Sequence, residues 1–186
     1  NPFHGAVPTY IRKAKFILGH FGSLSETRTL LPFIHALSLL KQCNPVAYQG
    51  LELHIFGGNL DSSSLAGANR MGVMDRIVCH GRLETNPVTG VSGRDQVLQH
   101  MRTCDVLALV HGEDPMCSEY IPSKLYEYLW MQRPILATVH DNPQMAALMR
   151  DMGHQVAECS IAHGGKSTDA AKELCVMIFS LWQRWQ

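Results

Sequence analysis

The sequence predicts an α/β fold, a three-layer α/β/α sandwich with about six parallel strands, and two observations predict it. Short apolar runs, several closed by glycine, alternate with longer stretches whose apolar residues recur three and four apart. The short runs are apolar at most positions instead of every second one. That pattern belongs to strands buried on both faces, in a parallel sheet covered by helices.

Residues 1–14 carry Pro2, Gly5 and Pro8 and read as an irregular lead-in to one domain over 15–186. KFILGH, from Lys15, is the first strand. A helix follows, with Leu30, Ile34, Leu37 and Leu40 at spacings of three and four, and with Pro32 in its first turn. LELHIFGG (51–58) is a strand and SSSLAGANRMG a helix stopped at Gly72. DRIVCHG is the third strand, followed by a loop over 84–93 and the helix GRDQVLQHMRTC. DVLALV (105–110), RPILATV (133–139) and QVAEC are strands. SKLYEYLWMQ (123–132), PQMAALMRDMG and STDAAKELCVMIFSLWQRW are helices, the last with Ser167 or Thr168 as its expected N-cap. This alternation is Rossmann-like. In such folds ligands bind beyond the carboxyl ends of the strands, here the loops 20–28, 57–62, 80–93, 111–123 and 139–143.

The 186 residues suit one domain, large enough to bury roughly 70% of the unfolded surface without a metal or disulfide staple. Sixteen basic and sixteen acidic residues cancel, which argues against nucleic acid as a partner and leaves room for a small anion held locally. The six cysteines are scattered without a CxxC and several lie in apolar runs, so they read as reduced core or near-core residues and point to the cytoplasm. No apolar run reaches the roughly 20 residues that span a bilayer. The tail CVMIFSLWQRWQ could touch a membrane inner face, but a helix packed on the domain or a neighbour is the simpler expectation. Asn at position 1 hints at a piece of a longer protein.

Chemistry concentrates in EYIPSKLYEYLWMQRPILA (119–137). Ser123 is expected to cap a helix whose free first-turn N–H groups form a site for phosphate oxygens. Glu127, acceptor-only when ionised, suits paired sugar or ribose hydroxyls. Leu125, Leu129 and Trp130 are expected to supply the buried face. His111, Glu113, Asp114 and Cys117 precede this segment, but their spacing matches no usual metal set and no metal is expected. The ten histidines read as scattered. His4, His35, His54, His100, His154 and His163 are expected on the surface or as satisfied core residues.

Glu119 and Glu127, with seven residues between them and followed by Pro-Ile-Leu-Ala, resemble the donor-binding signature of GT-B glycosyltransferases, the group 1, retaining class. The resemblance spans about residues 15–160. It implies that Glu127 holds the ribose, that Glu119 lies near the donor sugar in a catalytic role, and that the backbone around Ser123, Lys124 and Leu125 meets the diphosphate. GHFGSLSETRTLLPFIHAL resembles the family's phosphate loop. There Gly22 permits close backbone approach, and Arg28 stands at the diphosphate-binding basic position. Ser23 stands where many members carry a second basic residue, and so departs from their pattern. IFGGN, with Gly57, resembles a glycine turn near the ligand. RIVCHGRL, with Gly81 and Arg82, resembles the strand and loop that frame the nucleobase.

The resemblance implies a nucleoside-diphosphate sugar, such as a UDP- or GDP-sugar, bound without a metal or other cofactor. GT-B enzymes have two Rossmann-like halves, and this length accommodates one. The expectation is therefore a donor-binding half, inactive alone, with an acceptor-binding N-terminal half supplied in cis or in trans. A nucleotide-sugar epimerase or phosphorylase half, and a non-catalytic nucleotide-sugar-binding module, are the competing readings.

Overall fold

A computed structural model describes residues 9–159 and 167–186. His4, His163 and the start of the lead-in therefore lie outside the described residues, as do the side chains of the expected caps Ser167 and Thr168. In chain order the elements are β1 (Phe16–Phe21), α1 (Leu31–Cys43), α2 (Pro45–Gly50), β2 (Leu51–Phe56), α3 (Ser62–Met71) and β3 (Ile77–Gly81). They continue with α4 (Gly93–Met101), β4 (Val106–Val110), α5 (Ser123–Trp130), β5 (Ile135–His140), α6 (Pro143–Asp151), β6 (Gln155–Cys159) and α7 (Ser167–Trp185). All strand pairs are parallel, in the order β3-β2-β1-β4-β5-β6. This is the doubly wound order, which reverses direction between β1 and β4 and opens a crevice there.

Two apolar layers sandwich the sheet. On one face Phe16, Leu18, Leu53, Ile55 and Ala108 meet Ile34, Leu37 and Leu40 of α1 and Leu174 and Ile178 of α7. On the other, Ile17, Phe21, Leu107 and Ala137 meet Met101 of α4, Leu125 and Tyr128 of α5, and Met145 and Met149 of α6. The aromatic tail thus packs on its own domain, where Trp185 meets Phe16 edge-on at 5.7 Å. No helix of the described residues is long and apolar enough to cross a membrane. Residues 9–14 form no strand or helix, but Ile11 N donates to Arg102 O at 2.9 Å and Tyr10 Oη to Asp105.

Helix starts follow local chemistry. Asp61 caps α3 at Ser64 N, Ser92 caps α4 at Asp95 N, and Asn142 caps α6 at Met145 N. Pro32 does lie in the first turn of α1, and Gly72 does end α3.

Several expectations need correction. Ser123 does not cap α5. Pro122 occupies the N-cap without a side-chain bond and Ser123 is the first helical residue, because the extended backbone of Pro122 already ends the preceding loop. The buried face of α5 is Leu125 and Tyr128, a spacing of three, whereas Leu129 and Trp130 are only partly buried. β3 is not buried on both faces. It is one of the two sheet edges, and Cys79 and His80 are exposed. Cys79 is consequently a surface thiol, and Cys43 at the end of α1 is exposed too, while Cys104, Cys117 and Cys175 are buried. The short helix α2 goes unpredicted, since six residues give too short a periodicity to read.

Gly19 shows how tightly β1 is packed. A Cβ built there would lie 2.3 Å from Cys104 Sγ and 2.9 Å from the Phe21 ring. Gly19→Ala is therefore expected to cost about 1–3 kcal/mol through overpacking, read as an earlier urea midpoint. An unchanged midpoint would show that Cys104 yields without cost.

Candidate functional site

The crevice at the carboxyl ends of β1 and β4 is built from three segments. The first is the turn after β1. Phe21 N donates to the buried Tyr128 Oη at 3.0 Å, and Gly22 N donates to Phe56 O at 2.8 Å. Gly22 has φ +145° and Gly57 φ +110°. A Cβ on Gly57 would come within 3.0 Å of the Gly22 carbonyl carbon and oxygen. Glycine at 57 is what lets the first loop approach the second. Ser25 and Arg28 then exchange backbone hydrogen bonds at 3.1 Å in a tight turn. Arg28 thus sits ahead of α1, outside its first turn.

The second segment follows β4. Glu113 N donates to Thr27 O at 2.7 Å and Thr27 Oγ1 to Asp114 Oδ2 at 2.9 Å, so this loop is latched to the first. Behind it, Asn142 Nδ2 donates to the carbonyls of Cys117 and Tyr120, both at 3.1 Å. The third segment is the start of α5. Leu125 N donates to Pro122 O at 2.9 Å, which leaves Ser123 N and Lys124 N as the first-turn amides without a partner among the described residues.

These segments enclose a cleft of about 330 Å³ lined by Gly22, Ser23, Arg28, Ser123 and Lys124, with His20 and His111 among its other walls. Five of the residues singled out in the sequence therefore converge, from two separate stretches of chain, with the loop after β4 closing the third side. Arg28 and Lys124 bring positive charge, and the helix start adds the partial positive charge of its dipole. The charge and the unpaired amides of such a cleft suit a small anion with several acceptor oxygens.

Glu127 lies one turn further along α5. Arg94 Nη1 contacts its Oε1 at 2.6 Å and Lys124 Nζ its Oε2 at 3.0 Å. Burial pushes this carboxyl up, but the two cations outweigh it and hold its pKa below the ordinary range. Glu127 is a carboxylate at neutral pH, and it titrates only in acid. Arg94 was missed in the sequence. The signal available was a cation in the first turn of a helix, where the dipole disfavours it.

The other expected residues lie apart from the cleft wall. Leu125 is fully buried and its N–H is taken by Pro122, so it supports the site from the core. Gly57 N donates to Gly81 O, so these glycines join β2 to β3. Arg82 is exposed. Glu119 is also exposed, at the end of a 3-10 turn over Pro115–Glu119, next to the lining residue Tyr120.

The histidines are not scattered as expected, because adjacent strands bring distant ones together. His54 Nε2 lies 3.0 Å from Glu52 Oε2, its Nδ1 lies 3.1 Å from His80 Nε2, and the His80 and His100 rings are 5.6 Å apart. Among the described residues no group of three or more His, Cys, Asp or Glu side chains is arranged to hold a metal, there or around His111.

A larger cleft of about 660 Å³ lies at the opposite end of the sheet, among Asp105, Pro134, His154 and Trp185. It faces the amino ends of β4, β5 and β6, away from where ligands bind in this topology.

Comparison with solved structures follows this geometry. The chain is similar to WaaG, a glycosyltransferase involved in lipopolysaccharide biosynthesis, with a TM-score of 0.56 and 18% identity over 93% of this chain and 41% of that one. It is similar to the C-terminal domain of a group 1 glycosyltransferase (LpcC) from Francisella tularensis, with a TM-score of 0.52 and 12% identity over 91% of this chain and 85% of that domain. An α,α-trehalose-6-phosphate synthase from Burkholderia multivorans gives 0.56 and 12% over 92% and 42%. The chain thus spans about two fifths of two of these neighbours and most of the isolated C-terminal domain. No protein-family model matches the chain, and no curated protein does. At these identities the likeness carries the fold.

Proposed function

We propose that this chain, folded as the C-terminal half of a GT-B glycosyltransferase, binds a nucleoside-diphosphate sugar and presents it for transfer. The observation that carries this reading is the convergence of Gly22, Ser23, Arg28, Ser123 and Lys124 on one cleft at the β1/β4 switch point, with Glu127 one turn beyond.

In this reading the diphosphate sits against Ser123 N and Lys124 N, with Arg28 offsetting its charge. The ribose hydroxyls donate to Glu127, which Arg94 and Lys124 keep ionised and oriented. Arg82 and the loop after β3 lie toward the base. Glu119 lies toward the sugar, in the catalytic role the resemblance implies. The charge of the diphosphate is met by side-chain cations and a helix start, without a metal. Transfer to an acceptor then needs a second Rossmann-like half, in cis or in trans.

The test is thermal denaturation of the chain with UDP, GDP, ADP or dTDP and their glucose conjugates, with and without magnesium. A ligand at about 100 times its Kd adds roughly 2.7 kcal/mol. For a domain of this size that raises the midpoint by about 5–10 °C. No shift with any of them would overturn the reading. Glu127→Gln should fold normally and weaken the nucleotide, since its amide keeps one acceptor oxygen and loses the charge. In that variant a 2′-deoxy ligand should lose little more, although it loses affinity in the parent. Equal further losses in both would show that Glu127 does not meet the ribose.

A further inference from the structure

We propose, on the basis of the nucleotide-sugar reading above, that His20 takes up a proton from solvent when a diphosphate enters the cleft and then donates an Nε2–H hydrogen bond to a phosphate oxygen.

The argument starts from the tautomer. His20 Nδ1 lies 3.1 Å from Ala108 O. A carbonyl oxygen only accepts, so Nδ1 carries the hydrogen. In the neutral ring, Nε2 is then a bare lone pair. That nitrogen is buried and has no partner among the described residues, although a buried polar atom ordinarily finds one. His20 is 4% exposed and lines the same cleft as Arg28 and Lys124. A phosphate oxygen is also only an acceptor, and two acceptors repel. His20 can join a bound diphosphate only as the imidazolium, with one proton moving from solvent to Nε2.

The surroundings are arranged for this change. Burial comes first among the causes that hold His20 down at about 4. Arg28, from the loop after β1, and Lys124, from α5, add like-charge repulsion. Against them, the Ala108 hydrogen bond and Asp61, ahead of α3, act in the other direction. His111, at the end of β4, lines the cleft as well, and burial and His140 lower it. Its polarity is the reverse of His20. His140 N donates to His111 Nδ1 at 3.3 Å, so the His111 proton sits on Nε2 and needs no uptake. The two negative charges of a diphosphate reverse the balance at His20 alone. The reaction is ligand plus one proton, so affinity should rise as pH falls.

The sequence offered one hint, a histidine inside the apolar run FILGHF two residues before Gly22. Its role became visible only when β4 supplied Ala108 and α5 supplied Lys124.

The test uses the whole chain and titration calorimetry at neutral pH with the glucose conjugates of UDP, GDP, ADP and dTDP, whose phosphates stay fully ionised there. Each is measured in buffers of different ionisation enthalpy. The parent should take up about one proton per ligand bound, and its affinity should fall about tenfold per pH unit between the empty-site and occupied-site pKa. His20→Asn keeps a donor for Ala108 and has no counterpart of Nε2. It should bind more weakly, with no proton uptake and a flat pH profile.

Binding without uptake in the parent would overturn the proposal and leave the nucleotide-sugar reading standing. Equal uptake in His20→Asn would assign the proton elsewhere and also overturn it. No binding of any conjugate would overturn both. If His20→Asn does not fold, nitrogen NMR of the parent with histidine-labelled rings decides. Pyrophosphate should convert the His20 Nε2 signal from the bare to the protonated type, and an unchanged signal with pyrophosphate bound would refute the proposal.

Discussion

Arg28→Ala is expected to weaken nucleoside-diphosphate binding roughly 10- to 150-fold, the value of a charge-assisted hydrogen bond of about 1.5–3 kcal/mol. Arg28 lines the cleft, and its side chain forms no hydrogen bond or ion pair among the described residues. Its backbone is fixed by the exchange with Ser25, which alanine preserves. The substitution should therefore remove binding energy and leave stability almost unchanged. Specificity is the decisive readout. Calorimetry with UDP and uridine, or the matching pair for whichever base binds, should show the loss in the diphosphate alone. The deficit should also shrink as salt screens the contact. Equal losses for nucleoside and diphosphate, or a lowered melting temperature, would show that Arg28 acts through the fold.

Asp61→Ala should have the largest effect on stability, roughly 3 kcal/mol or more. Asp61 is buried, and its Oδ1 accepts from Thr29 Oγ1 at 2.8 Å, Ser63 Oγ at 2.6 Å and Ser64 N at 2.9 Å, while Oδ2 accepts from Leu30 N at 3.2 Å. Loss of an N-cap alone costs about 0.5–2 kcal/mol. Here alanine also strands Leu30 N, a desolvated donor worth about 1–3 kcal/mol, without full additivity, while the Thr29 hydroxyl keeps Ser63 Oγ at 3.1 Å and Ser64 Oγ at 3.0 Å as partners. For a domain of this size the midpoint should drop by roughly 6–12 °C. Burial raises the Asp61 pKa, but the bonds from Ser63, Ser64 and Thr29 outweigh it, so the folded-state value is depressed. Stability from a depressed carboxyl is present above the unfolded pKa and is lost as pH falls through the folded one. Urea unfolding of the parent and of Asp61→Asn should therefore differ at neutral pH and converge in acid. A gap that stays constant down to low pH would show that shape, and not charge, carries the effect.

Much of this protein was legible without coordinates, because much of it is local. The alternation of apolar runs with periodic stretches gave the three-layer sandwich and all six parallel strands. Pro32 marked the first turn of α1, and Gly72 marked the end of α3. The stretch from Glu119 to Ala137 gave α5, its approach and the strand it leads into. Each of these depends on residues within a turn or two of one another. The periods of a helix and a strand, and the demands of unpaired helix-end amides, act at that range.

What only the tertiary structure decided depends on strand order. That β3 lies at the edge, and so exposes Cys79 and His80, follows from the order β3-β2-β1-β4-β5-β6, which no single segment encodes. The same order sets β1 beside β4, so that Ala108 faces His20 and Tyr128 reaches Phe21 N. It gathers His54, His80 and His100, distant in the chain, around Phe56. It also brings Arg94 of α4 to Glu127 of α5, 33 residues apart. Ser123 was misread for a related reason. A serine at a helix start is a good cap in isolation, but the extended backbone of Pro122 takes the cap position and moves Ser123 into the first turn. Local chemistry set which residues could bind an anion. The packing of the two helix layers on one sheet decided which of them meet, since only burial of both faces fixes the strand order that joins them.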